Sequence, residues 1–162
     1  MEKRIYRLQS DPENFLWLTL TRESDSERLE VLREAISVKA NWVPVPVEPI
    51  VEKPQDKDKV LSDFPTFWAL PIMSKRAIVA LRDFFNENAE LLPVDKQPYF
   101  ILNVTRLLDV LDEDKSSIER FKSSGGIMRI TKYWFHENQL DDVPIFRLPQ
   151  FRRVEVFVNH EF

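Results

Sequence analysis

The residues best equipped for chemistry in this 162-residue chain are two histidines, a tight group of carboxylates and one glycine pair. Histidine is the usual general base and a common metal ligand. His136 follows an extended run and precedes Glu137-Asn138, which reads as a loop, and His160 lies close to the last residue. Neither has a second ligand two or four residues on, so a metal would need partners from elsewhere; histidines in solvated loops are the plainer reading. Asp109, Asp112, Glu113 and Asp114 form the densest carboxylate group, without the glycine and spacing of a calcium loop. Three readings compete for them: a solvated helix end, a patch that docks a basic protein partner, and a metal site. Ser74, Ser116, Ser117, Ser123 and Ser124 include no G-x-S-x-G elbow. No cysteine occurs, which excludes disulfides, thiolate zinc sites and thiol nucleophiles. Gly125-Gly126 is the one glycine site, so neither a Walker loop nor a dinucleotide fingerprint can be written. This inventory favours a protein without catalytic residues, cofactor or metal, acting by fit against another molecule. Two alternatives stay open: a small-ligand sensor or enzyme built on a carboxylate pocket, and a subunit of a larger assembly.

Composition frames those residues. Hydrophobic residues make up 43% of the chain and aromatics 12%, too much large apolar material for a disordered protein. The net charge of −4 argues against nucleic-acid binding, and the basic spots at Arg147, Arg152 and Arg153 do not extend into a stripe. No signal-peptide core or membrane-length apolar run is present, which with the lack of cysteine points to the cytoplasm and away from a membrane. The length fits one domain over 1–162.

The elements that must position these groups follow from spacing. Ile5 to Leu8 and residues 15–20 read as strands. Leu29, Leu32 and Ile36 recur at helical intervals behind Asp25 or Ser26 as cap. Val43-Pro44-Val45-Pro46-Val47-Glu48-Pro49 is extended, because proline disfavours helix at itself and at the residue before it. The charged run Glu52 to Lys59 then reads as a surface loop, and residues 43–60 are the one candidate for a minor subdivision. Phe67-Trp68-Ala69-Leu70 reads as a buried segment closed by Pro71, core packing being preferred over an exposed aromatic patch of Phe64, Phe67 and Trp68. Ser74 caps a helix whose apolar face is Ala77, Ile78, Leu81, Phe84 and Phe85. Tyr99 to Val104 is a strand and Arg106 to Leu111 a short helix. Ser117 to Phe121 and Ile127 to Phe135 form a hairpin around the glycines. Pro144 to Leu148 and Val154 to Val158 are two more strands, and Asn159 to Phe162 looks like a cap with the first turn of a helix. The fold class is α+β: a mostly antiparallel sheet from the C-terminal half with a few packed helices, the 74–86 helix on one face.

From Asp63-Phe64 onward the chain resembles the eleventh class of immunity proteins of bacterial polymorphic-toxin systems. The matching pieces run in order. They begin with Phe-Pro-x-Phe-Trp before Pro71-Ile72-Met73-Ser74 and a helix ending in Leu91-Leu92-Pro93-Val94. Tyr99 to Thr105 follows, running through Leu108-Asp109 to Leu111-Asp112 and Ser116, then Ile145-Phe146-Arg147 and Val156-Phe157-Val158. The Asn103-Val104-Thr105 stretch followed by Leu-Asp is the most specific part. The resemblance covers about residues 60–162 and, more faintly, Ile5 to Leu8. Members look as though they continue past the last strand with a helix and a further strand. The resemblance implies inhibition by binding a cognate protein toxin, with no catalytic residue to carry over, and a structural role for Asn103 in satisfying buried backbone groups.

Overall fold

Eleven prolines and many short apolar runs keep the strands short, and none of those described exceeds six residues. The computed structural model describes residues 4–140, 143–151 and 155–162. In chain order the elements are β1 (Ile5–Arg7), β2 (Trp17–Leu20), α1 (Ser26–Glu30), β3 (Val47–Ile50), β4 (Thr66–Phe67), β5 (Ile72–Ser74) and α2 (Lys75–Phe85). They continue with β6 (Ala89–Pro93), β7 (Tyr99–Val104), β8 (Ser117–Arg120), β9 (Ile127–Lys132), β10 (Ile145–Phe146) and β11 (Phe157–Asn159). This is an α+β fold, but its strands form four small sheets rather than one: β1-β11-β10, β3-β2-β4, β5-β7-β6 and the hairpin β8-β9. All pairings are antiparallel except that of β2 with β4.

β7 organises the interior. Side chains alternate across a strand, and β7 is covered on both faces. Tyr99 and Ile101 join a core with Leu18, Leu20, Leu29, Leu32, Val45, Val47, Phe67 and Leu92. Leu102 and Val104 face the other way, onto Phe85, Ala77, Ile78 and Leu81 of α2 and onto Ile145 and Val158. α2 starts where expected: the Ser74 hydroxyl accepts from the Ala77 amide at 3.1 Å, satisfying one of the free N–H groups of the first turn. β10 and β11 repeat the two-faced arrangement. Ile145 and Val158 look toward α2, while Phe146 and Phe157 join Leu108, Leu111 and Ile130 in a third cluster. In that cluster Tyr133, Phe135, Phe146 and Phe157 stack and cross at centroid distances of 5.1–6.3 Å.

Three local expectations are corrected. The helix behind Asp25 is only five residues of α-helix, and a 3-10 turn over Val31–Glu34 follows it. Ala35 then enters the left-handed region at φ 54°, which turns Ile36 out into solvent. Ala89–Pro93 is a strand, not the end of a helix; it pairs along β7 from Ala89↔Val104 to Pro93↔Phe100. Arg106 to Leu111 is not helical, because its backbone bonds to other segments: Leu108 N–H to Arg147 C=O at 3.0 Å, and Val110 C=O from His136 N–H at 2.8 Å. Glu52 to Lys59 is a mostly exposed connection, as expected, with a 3-10 turn over Pro54–Asp58.

The remaining elements are present with shorter or shifted bounds: the strand expected over 15–20 is Trp17–Leu20, that over 127–135 ends at Lys132, and the last is Phe157–Asn159. Gly125 has φ 69° in the β8–β9 connection, where a side chain would be strained. Asn159 Oδ1 accepts from the amides of Glu161 and Phe162 at 3.0 and 3.3 Å, the cap expected there. Val154, at which the last strand was expected to start, lies outside the described residues, as do Arg152 and Arg153.

Candidate functional site

The acidic group does not assemble as one patch. Asp112 is buried, and its Oδ1 accepts from the Lys115 amide at 3.1 Å while Oδ2 lies 3.0 Å from Lys115 Nζ. The Lys115 hydrogen bond holds this carboxyl below the usual carboxylate range, with partial burial opposing. Glu113 pairs with Arg120 Nη2 at 2.5 Å, and Asp109 accepts from Gln150 Nε2. Asp114 is exposed. His136 Nδ1 sits 3.8 Å from Asp112 Oδ2, yet its side chain is 44% exposed and it stands at the surface. His160 is exposed in the last turn. Among the described residues, no group of three histidine, aspartate or glutamate side chains could hold a metal ion.

Arg147, expected among surface basic spots, is instead one of the most deeply buried large side chains, at 2% exposure. It extends from the end of β10 to the C-terminal end of the α1 segment. There Nη1 donates to Leu32 C=O at 2.8 Å and Nη2 to Arg33 C=O at 2.7 Å. Leu32 C=O also accepts from the Ala35 amide at 3.4 Å, and the helical turns end here, so a cation meets the remaining acceptor capacity of both carbonyls and the negative end of the helix. Burial pushes its pKa down to about 10, with Glu34 acting in the opposite direction, so it stays cationic at neutral pH.

Asn103 does the equivalent work one turn further along. On the same face of β7 as Ile101, its Nδ2 donates to Ile36 C=O at 2.9 Å and to Glu90 Oε2 at 3.1 Å. Glu90 in turn accepts from Ser37 Oγ at 2.5 Å and from the Val38 amide at 2.9 Å. Burial pushes the Glu90 pKa up, but these donors together outweigh it and hold the carboxyl below its ordinary value. Residues 32–38 are thus bound to the sheet by polar groups, which is the role expected of Asn103.

The second feature is a groove of about 270 Å³ between the β1 side of the molecule and the turn after β4. Phe67 and Leu70 both point into the core, and Leu70 N–H closes a turn onto Phe67 C=O at 2.9 Å. The two residues between them therefore face outward. Trp68 is 48% exposed while Phe67 is 1% exposed, so the aromatic group expected as core divides. Trp17, Phe64 and Trp68 line the groove with Arg7 and Glu155. Arg7 Nη1 is 3.3 Å from Glu155 Oε1, and the Tyr133 hydroxyl donates to Glu155 Oε2. Burial, together with this neighbouring carboxylate, raises the Tyr133 pKa well above its ordinary value. Ser10 Oγ and Thr66 Oγ1 share a hydrogen bond at 2.8 Å across the groove. Nothing in the sequence marked Arg7, Trp17 or Glu155; the alternation of β1 and β2 gives their faces only once the pairing is known.

The site thus offers recognition surfaces and ionised groups tied to neighbours. Residues 93–162 match the model of the immunity protein family, Imm11. The match takes in Asn103, Arg147 and the acidic group, and it stops short of Trp68 and the helix after it. No curated protein matches the chain. No helix among the described residues is long and apolar enough to cross a membrane.

Proposed function

We propose that this protein is a non-enzymatic binding protein that neutralises one cognate protein toxin by covering it. The match of residues 93–162 to an immunity protein family carries the reading. The electrostatics support it. Among the described residues every carboxylate with a displaced pKa is displaced downward: Asp11, Asp56, Asp63, Glu90 and Asp112. A general acid needs the opposite displacement to keep its proton at neutral pH.

The same proposal includes a bacterial polymorphic-toxin system, action in the cytoplasm, and no nucleic-acid or membrane partner. It treats residues 1–162 as one working unit, since the first core draws side chains from both sides of 43–60. Asp109 and Asp114 are the exposed carboxylates that would steer a basic partner, as rim charges do, while Glu113 is paired with Arg120 and Asp112 is turned inward. The test is calorimetric titration against the products of toxin-like reading frames adjacent to this one. A one-to-one complex that abolishes toxicity is expected, and absence of binding to all of them removes the reading.

A further inference from the structure

The turn at Trp68 is built against its own backbone preference. Trp68 has φ 52° at the first central position of the Phe67–Leu70 turn, and Ala69 is not among the positive-φ residues. That is the pattern of a type II′ turn, whose first central residue is normally glycine. Three other non-glycine residues share a positive φ: Ala35, Asn86 and Lys96. Asparagine tolerates this region, alanine is small, and Ala35 ends a helical segment. For a side chain as bulky as tryptophan it is a genuine outlier, and such strain gathers at binding sites. The ring is also left half in solvent. A position that favours glycine, in a chain with only two glycines, carries the largest side chain there is.

The surroundings say what it would hold. Arg7 and Glu155, the two ionised groups of the groove, lie 3.3 Å apart and cancel, so the groove attracts neither sign of charge. Its aromatic surface comes from Trp17, Phe64 and Trp68. Its walls are the end of the β1–β11 ladder, where Leu8 N–H bonds Val156 C=O, and the 64–71 stretch, where Leu70 N–H bonds Phe67 C=O. An uncharged segment fits that combination, with one apolar side chain for the indole face. We propose that Trp68 is the anchor by which this protein holds its toxin, in a groove that accepts an uncharged toxin segment. The proposal rests on the toxin reading above.

The experiment measures affinity for the product of the adjacent toxin reading frame, together with melting temperature, for wild type, Trp68→Ala and Trp68→Gly. Both variants should bind at least about 10-fold more weakly, as hot-spot tryptophans do when truncated. Despite glycine's usual disadvantage, Trp68→Gly should melt above Trp68→Ala, because glycine alone is at ease with the positive φ. Raising the salt from about 0.1 to 0.5 M should leave the Trp68-dependent difference in affinity unchanged, since no net charge is engaged. Wild-type affinity in either variant would overturn the proposal. So would a fall in melting temperature of more than about 8 °C in both, which marks a structural residue. Loss of the Trp68-dependent difference at high salt would overturn the uncharged segment. If wild type itself binds no such product, the toxin reading fails first and the anchor falls with it.

Discussion

Around Arg147 and Asn103 the polar groups turn inward and bind the 32–38 segment to the sheet; around Trp68 they pair with one another and leave an aromatic ring facing out. The first region lies within the family-matched residues and the second outside them. The difference teaches how a chain with little reactive chemistry divides its labour. One region uses charge to fix the architecture, and the other leaves an aromatic side chain half in solvent.

Substitutions can break this contrast. The largest effect is expected from Arg147→Leu, which removes the guanidinium donor from the Leu32 and Arg33 carbonyls. The loss of two charged hydrogen bonds should cost about 3–5 kcal/mol in urea unfolding. Arg147→Lys should recover only part of it, because a single ammonium cannot reproduce the guanidinium fork. Asn103→Ala comes next, at about 1–3 kcal/mol in the same assay, since Ile36 C=O and Glu90 lose their buried donor. Ser74→Ala should cost about 1 kcal/mol through the lost helix cap.

The smallest effect belongs to an exposed tie, the pairing of Asp63 with Arg76. The Arg76 and Ser74 hydrogen bonds hold the Asp63 carboxyl below its ordinary value. A depressed carboxyl stabilises above its unfolded-state pKa of about 4 and loses that contribution as pH falls through the folded value. Asp63→Asn should therefore lower the melting temperature slightly at neutral pH and converge on wild type as pH falls through the folded value, flattening the acid side of the profile. An Asp63 effect as large as that of Arg147 would erase the distinction between interior and surface ties.

Much of the fold was legible in local pattern. The apolar face of α2, the Ser74 cap, β7 and the glycine-turned hairpin all follow from spacing, because each is fixed by residues within a turn or two of chain. What was not legible depended on distant partners. Ala89-Glu90-Leu91-Leu92 has helix-forming composition, yet β7 draws it into a strand. Arg106 to Leu111 is held extended by Arg147 and His136 backbones far along the chain. The site was less legible still. Arg147 reads as surface charge and Trp68 as core, and only the three-dimensional arrangement supplies acceptor carbonyls for the one and a buried pair of flanking residues for the other. Asn103 is the exception, placed correctly by resemblance.

Hydrogen exchange of this protein with and without the adjacent toxin product tests most directly whether the partner lands on the outward-facing region. Slowed exchange in residues 5–10 and 64–70 is the result the Trp68 groove predicts. Protection confined to residues 109–120, with the groove unchanged, would contradict it and move the docking surface to the acidic side.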